Sequence, residues 1–307
     1  MSESRPFAGI EVVEFGQFIA VPFCGQLLAE GGAHVIKVES LEGDPVRQLA
    51  PVAPGETRHY VSRNRGKHSL PLDLKHPDAS KIIDALLARA DVVLFNFRPG
   101  LAEELGLDYA GLALRYPRLI VGSVTGFGTR GPDAKLAGMD LVLQARSGLM
   151  ASNGRVKNGV PNPGESPIAD YVCALSLAFG IASALLRRTA TGHGGQVEAA
   201  LLMAALLAQN NSMIRVASED VARNASVLEE LAALRAAGAS FEEQAEVVPH
   251  TRTRGMVSIY YRTYQTKDAT VGIACVSPGI QRTLMRAVGL EDAAHTTKMD
   301  RGAQERH

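Results

Sequence analysis

The sequence predicts an α/β protein: a doubly wound, mostly parallel sheet in a large domain, followed by a smaller α+β domain. Three observations predict it. Short β-branched runs alternate with stretches of helical spacing through the first two thirds of the chain, Gly and Pro punctuate nearly every change, and after about residue 220 the pattern turns into surface helices and a hairpin. At 307 residues the chain exceeds what one compact core usually encloses, which fits a division into residues 1–219 and 220–307.

The elements follow in order. "IEVVEF" (10–15) and "HVIKVE" (34–39) are strands, and "VPFCGQLLAEGG" between them is a helix closed by Gly31 and Gly32. Pro77 opens the helix "DASKIIDALLARA"; "DVVLFNF" (91–97) is a buried strand; "GLDYAGLALRYP" is helical and "LIVGSVTGF" (119–127) is another strand. "DLVLQARSGLM" (140–150) reads as one helix, residues 152–167 as a loop, and the run Tyr171 to Leu186 as a buried helix shorter than a membrane span. Gly192, Gly194 and Gly195 then break the chain before "QVEAALLMAALLAQNN", residues 219–247 form one or two surface helices, residues 256–276 form a hairpin turning at Lys267–Asp268, and "GIQRTLMRAVG" is a helix behind it. The βαβ order is that of a Rossmann-like domain.

Composition narrows the function. Lys+Arg and Asp+Glu balance at 32 each, so no net field draws in nucleic acid or an anionic membrane. Cys24, Cys173 and Cys275 are odd in number, far apart and set in apolar sequence, which reads as reduced core residues of a cytoplasmic protein. The N-terminus shows no secretory pattern. "GQFIAVPFCG" after the first strand lacks the G-x-G-x-x-G of a dinucleotide site, although Glu39 ends the second strand as a ribose-binding acid would. The eight histidines form no metal-ligand spacing, no G-K-[ST] phosphate loop occurs, and "GSVTG" centres on Val124 and so is no nucleophile elbow.

Asp170 is the singular residue, the only charge between Ser166 and Leu186. Its ordinary reading is a helix N-cap. A carboxylate at a helix start beside a Gly/Pro-rich loop is also placed to act as a nucleophile, and the two readings do not exclude each other.

Seven segments in order, "GIEVVEFGQFIAVPFCGQLLAEGGAHVIKVE", "NRGKHSLPLDLKHP", "ADVVLFNFRPG", "PRLIVGSVTGFG", "GMDLVLQARSG", "PIADYV" and "TGHGGQVEAAL", give a chain that resembles the class III CoA-transferases from about residue 7 to 290. That family includes formyl-CoA and carnitine CoA-transferases and the related α-methylacyl-CoA racemases. The resemblance implies an acyl-CoA donor, a carboxylic acid acceptor, coenzyme A as co-substrate, no metal, an interlocked homodimer, and Asp170 as the nucleophile of a mixed anhydride and an aspartyl-CoA thioester. It implies Asp140 as an acidic position at the site that orients a donor group, with Gly148 and Gly164 on the loop ahead of the nucleophile. Along CoA it implies Leu72, Asp73 and Lys75 at the adenosine end, Asn96, Phe97 and Arg98 along the pantetheine and phosphates, and Arg47 at a recurrent basic position. Read without the family, Lys75 and Arg98 are equally solvated surface charges, and Phe97 is equally a core residue.

Three departures qualify the resemblance. Met139, counted with the CoA-contacting residues, stands where the racemases carry an acid/base histidine, and a thioether cannot shuttle a proton, which favours transferase over racemase. Formyl-CoA transferase has a glutamine where this chain has Ile19, with Gln17 two residues away as the candidate substitute, and its run of four glycines has no counterpart near "TRTRGMVSIYY"; a larger or less polar acid than formate or oxalate is expected. Family members also continue for roughly a hundred residues, so the small domain is expected to be incomplete and a catalytically silent CoA-binding chain stays open as an alternative.

Overall fold

A computed structural model describes residues 5–153, 155–164, 166–209, 213–247 and 259–292. The chain divides into two compact units, Met1–Arg215 with Ser240–Ala245, and Val216–Ala239 with Glu246–His307.

The first unit is built on six parallel strands: β1 (Glu11–Glu14), β2 (His34–Glu39), β3 (His68–Pro71), β4 (Val92–Phe95), β5 (Ile120–Thr125) and β6 (Gly195–Ala200). Their spatial order is β6-β5-β4-β1-β2-β3, every neighbouring pair parallel. This is the doubly wound order, with its switch point between β1 and β4. Val12, Val92, Leu94, Ile120 and Val124 point to one face, where α1 (Ala20–Glu30) and the long α7 (Ile168–Thr191) cover them. Val13, Val38, Val93, Phe95 and Val121 point to the other, against α3 (Ala79–Leu87) and α4 (Tyr109–Arg115). Burial on both faces explains why these strands read as continuous apolar runs.

Where β1 ends, the sheet encloses charge. Glu14 and Lys37 are register partners on β1 and β2, both 0% exposed, with Lys37 Nζ 3.1 Å from Glu14 Oε1 and 3.0 Å from Asp44 Oδ2. Lys67 closes the other side, 2.8 Å from Glu14 Oε2, and also donates to the Pro22 carbonyl at 2.7 Å and Asn64 Oδ1 at 3.0 Å. Burial pulls the Lys67 ammonium down to about 8 against the opposing pull of Glu14. Lys37 Nζ also donates to the Gly16 carbonyl, and Asp44 Oδ1 accepts from the Phe18 N–H at 3.4 Å. These bonds hold the turn after β1, in which Phe18 takes a left-handed φ of 63°.

Several expectations need correction. "QVEAALLMAALLAQNN", left undivided by the sequence reading, begins inside strand β6 and continues as helix α8 (Leu201–Leu207). Strand β3 and helix α2 (Arg58–Asn64) were not anticipated. The helix expected over 140–150 is two, α5 (Asp140–Arg146) and α6 (Leu149–Ser152), because Gly148 turns left-handed at φ 80°. Within the loop 152–167, Val156–Lys157 and Val160–Pro161 pair as a small hairpin. Helix α7 runs 24 residues, is long and apolar enough by length and composition to cross a membrane, and is not buried all round: Phe179 is 77% exposed, in a stripe with Leu175 and Leu186. Its other face packs on α1, β5 and β6.

In the second unit, α9 (Ala217–Ala236) buries Val227 and Leu231 with Val247, the last residue of α10 (Phe241–Val247). Strands β7 (Tyr261–Gln265) and β8 (Thr270–Ala274) pair antiparallel around a turn holding Lys267 and Asp268, with the Thr266 N–H donating to the Ala269 carbonyl at 2.7 Å; α11 (Pro278–Val288) follows. Residues 256–258 of the expected hairpin lie outside the described residues. Cys275, expected in a core, is only half-buried, whereas Cys24 and Cys173 are buried.

Gly25 of α1 lies directly over the buried acid: a Cβ there would meet Glu14 Oε2 at 1.9 Å. Gly25→Ala is therefore expected to lower unfolding free energy by about 1–3 kcal/mol, the usual cost of overpacking a close-packed site, read by urea denaturation. An unchanged midpoint would show that the Glu14 carboxylate is free to move.

Candidate functional site

In a doubly wound sheet, ligands gather beyond the carboxyl ends of the strands, near the switch point. Gln17 follows β1, Asn96, Phe97 and Arg98 follow β4, Leu72, Asp73 and Lys75 follow β3, and Arg47 follows β2, so these residues share one edge of the sheet. Asp170 joins them from a helix: α7 must run antiparallel to the strands to deliver β6 parallel to β5, which sets its N-terminus at the same edge.

At the switch point Gln17 and Asn96 close a reciprocal pair. The Gln17 N–H donates to Asn96 Oδ1 and Asn96 Nδ2 donates to the Gln17 carbonyl, both at 2.9 Å, leaving the Gln17 side chain exposed. Phe97 stacks on Phe95 with ring centroids 5.0 Å apart.

The second cluster surrounds Asp170. The N-cap expectation is corrected: α7 starts at Ile168 with Pro167 as a cap that makes no side-chain bond, and Asp170 is the third helical residue. The cap comes from elsewhere. Asp140, first residue of α5, accepts the Asp170 N–H on Oδ1 at 3.1 Å, while its Oδ2 accepts from Gln144 Nε2. Gly126 and Gly138 make this possible, since a Cβ on Gly126 would lie 2.8 Å from Gly138 Cα; their contact brings the start of α5 beside the end of β5. Two carboxylates thus share a half-buried space. Burial first, and then the charge of Asp140, raise the Asp170 carboxyl to about 7, while Arg63 acts in the opposite direction. Cys173, one turn further on, is pushed up to about 12 by burial and by Asp170.

Other candidates have different surroundings. Arg47 is held by Glu39, Nε to Oε2 at 2.8 Å and Nη2 to Oε1 at 2.9 Å, and lies 3.5 Å over the Tyr60 ring, with only 16% of its side chain exposed. Tyr60 and Ser69 hydroxyls also reach Glu39 Oε1, at 2.8 and 2.9 Å. Although burial alone would raise it, these donors hold the Glu39 carboxyl down to about 2. Glu39 is thereby fully engaged, which agrees with the missing dinucleotide fingerprint. Leu72 belongs to the core. Asp73 Oδ1 accepts the Lys75 N–H at 2.9 Å in an exposed turn, and Arg98 pairs with Glu104 at 2.9 Å. Met139 precedes α5, 53% exposed. Among the described residues no group of three or more His, Cys, Asp or Glu side chains could hold a metal.

Arg63 was missed by sequence reasoning. It sits on α2 and is 5% exposed, and its Nη2 donates to the Tyr171 hydroxyl at 2.9 Å. Nothing in "YVSRNRG" separates it from its neighbour Arg65, which lies exposed against Glu30.

Fold and site together define a doubly wound α/β protein with an aspartate pair at the carboxyl edge of its sheet. Residues 7–307 match CoA-transferase family III, and the chain belongs to that family. It is 39% identical over 198 residues to the succinyl-CoA–L-malate CoA-transferase beta subunit of Chloroflexus aurantiacus, covering 64% of this chain and 49% of that protein. It is 40% identical over 217 residues to the succinate–glutarate CoA-transferase of Agrobacterium fabrum, covering 67% and 54%. The crystal structure of Rv3272 from Mycobacterium tuberculosis superposes with a TM-score of 0.72 at 29% identity, covering 95% of this chain and 72% of that one. A CAIB/BAIF family protein from Brucella suis gives 0.71 at 30%, covering 99% and 76%. The chain spans about half the length of the curated relatives it matches.

The raised Asp170 carboxyl has a consequence for stability. Its ordinary value is 3.8 and its folded value about 7, so the folded state holds the proton more tightly; the benefit is complete below pH 3.8 and is lost as pH rises through 7. Asp170→Asn removes that loss. The variant is expected to be more stable than the parent by about 2 kcal/mol at pH 8, a figure discounted for partial exposure, with the difference vanishing near pH 4 in denaturation curves.

Proposed function

We propose that this chain is the CoA-binding and nucleophile-bearing part of an acyl-CoA:carboxylate CoA-transferase, with Asp170 forming the covalent intermediates. The observation that carries the reading is the pair Asp170 and Asp140, a carboxylate whose backbone N–H is held by a second carboxylate at the edge where ligands bind a doubly wound sheet. Family membership supports it, as do the chain's relatives, a succinyl-CoA–L-malate and a succinate–glutarate CoA-transferase.

In this reading an Asp170 oxygen attacks the thioester carbonyl of the donor, the C–S bond breaks, and CoA thiolate leaves a mixed anhydride. The thiolate attacks the Asp170 carbonyl carbon, the donor acid departs as carboxylate, and an aspartyl-CoA thioester remains. An acceptor carboxylate attacks that thioester and expels CoA thiolate, which then attacks the acceptor carbonyl and restores the Asp170 carboxylate. The net reaction exchanges one thioester for another of similar energy, so orientation and fixed dipoles that stabilise the anhydride steps carry the rate. The N–H groups of Ile168 and Ala169 in the first turn of α7 are the candidate donors to the oxyanions, those of Gln17, Phe18 and Asp170 being already given to Asn96, Asp44 and Asp140. Asp140 serves by position, holding the helix that carries the nucleophile.

Gln17, Asn96 and Phe97 line the pantetheine path, with Lys75, Arg98, Leu72 and Asp73 toward the nucleotide. Arg47 contributes by packing the β2 end, since Glu39 occupies its guanidinium. A larger or less polar acid than formate or oxalate is the acceptor in this reading, since Ile19 stands where formyl-CoA transferase carries its glutamine. The exposed stripe Leu175, Phe179 and Leu186 supports burial in an interlocked homodimer, and the three free cysteines support a reducing, cytoplasmic setting. Racemisation is disfavoured because Met139 offers no base.

Succinyl-CoA followed by hydroxylamine is expected to convert Asp170 to the hydroxamate in peptide mass spectra, and Asp170→Ala to lower CoA transfer about 1000-fold or more. An unmodified peptide, with transfer surviving in Asp170→Ala, would remove Asp170 from the reaction.

A further inference from the structure

We propose that Arg63 is the anion-binding residue of this site, unpaired beside Asp170 in the resting protein and pairing with the acceptor carboxylate once Asp170 is held as the thioester. The inference rests on the transfer reading above and adds to it the residue that receives the acceptor.

The geometry points to an anion. Arg63 is 5% exposed; Nη1 donates to the His59 carbonyl at 2.8 Å and Nη2 to the Tyr171 hydroxyl at 2.9 Å, while Nε is buried with no hydrogen-bond partner. Among the described residues no carboxylate stands within ion-pair distance of the guanidinium. A guanidinium does not shed its proton, so a buried one without a counter-charge is costly unless an anion meets it at some stage. Other buried cations of this unit have their anions: Lys37 and Lys67 meet Glu14, and Arg188 meets Asp91 at 2.8 Å.

Arg63 is also fixed beside the nucleophile. Tyr171 follows Asp170 in the chain, and Phe23 packs edge-on against its ring at 5.0 Å, so the phenol that holds Nη2 is itself held. The carboxyl on which the Arg63 charge acts is Asp170.

The charge count then closes over the whole cycle. Above pH 7, where the Asp170 carboxyl has lost its proton, one negative charge on that side chain stands beside the positive Arg63. In the thioester, Asp170 is neutral and the acceptor carboxylate replaces its charge. The sum stays constant, and a fixed planar cation already held beside Asp170 receives the substrate carboxylate without reorganisation.

Asp170→Asn imitates the neutral, acylated state without chemistry. At pH 8, succinate titrated calorimetrically into Asp170→Asn is expected to bind at least about tenfold more tightly than to the parent chain, because the like charge of Asp170 no longer opposes the anion that Arg63 receives. That gain is expected to disappear in Asp170→Asn/Arg63→Met and to survive in part in Asp170→Asn/Arg63→Lys. Equal affinities for Asp170→Asn and its Arg63→Met derivative would overturn the proposal. If the Met variant does not fold by circular dichroism, the Lys variant decides, since succinate binding undiminished by the loss of the guanidinium fork overturns it equally. Turnover is not needed for this readout. Succinate binding that depends on Arg63, together with an unmodified Asp170, would sink the transfer reading and leave the anion site standing.

Discussion

One hydrogen bond organises the candidate site: the N–H of Asp170 donated to Asp140 Oδ1 at 3.1 Å. Helix α7 begins after a proline and has no side-chain cap of its own, so its free N–H groups must find acceptors elsewhere. Asp140 supplies one from α5, and in doing so brings a second negative charge beside the first. Burial first, and then the Asp140 charge that comes with this contact, raise the Asp170 carboxyl. Gly126 and Gly138 are what let α5 approach closely enough.

The other half of the site depends on buried charge. Glu14 lies between Lys37 and Lys67 at the end of β1, and Lys37 reaches on to the Gly16 carbonyl. A buried triad of this kind is costly to assemble, and here its Lys37 holds the turn through the Gly16 carbonyl. It sets the turn that presents Gln17 to Asn96 across the switch point.

Much of the fold was legible because parallel strands buried on both faces leave unbroken β-branched runs, as in "HVIKVE" and "DVVLFNF". Edge strands left weaker marks. β3, "HSLP", ends in proline, and β6, "GQVEAA", has Val197 as its one β-branched residue, so neither carries a strand signature. The two-helix form of 140–150 depended on a left-handed Gly148 that helical spacing does not reveal. At the site, Asp170 stood out as a lone charge in an apolar run, but its position as third residue rather than cap was hidden because its partner lies thirty residues away. Arg63 left no mark for the same reason: what distinguishes it is burial against Tyr171, a contact across 108 residues. Arg47 shows the converse, a basic residue in a familiar place whose guanidinium the fold has already committed to Glu39.

The account stands on an Asp170 carboxyl perturbed by burial and by Asp140. A carbon-13 NMR titration of the side-chain carboxyls, with Asp170 assigned by its loss in Asp170→Asn, measures this directly. A midpoint near 7 that falls in Asp140→Asn is the expected result. A midpoint near the ordinary 3.8, unmoved by Asp140→Asn, would contradict it.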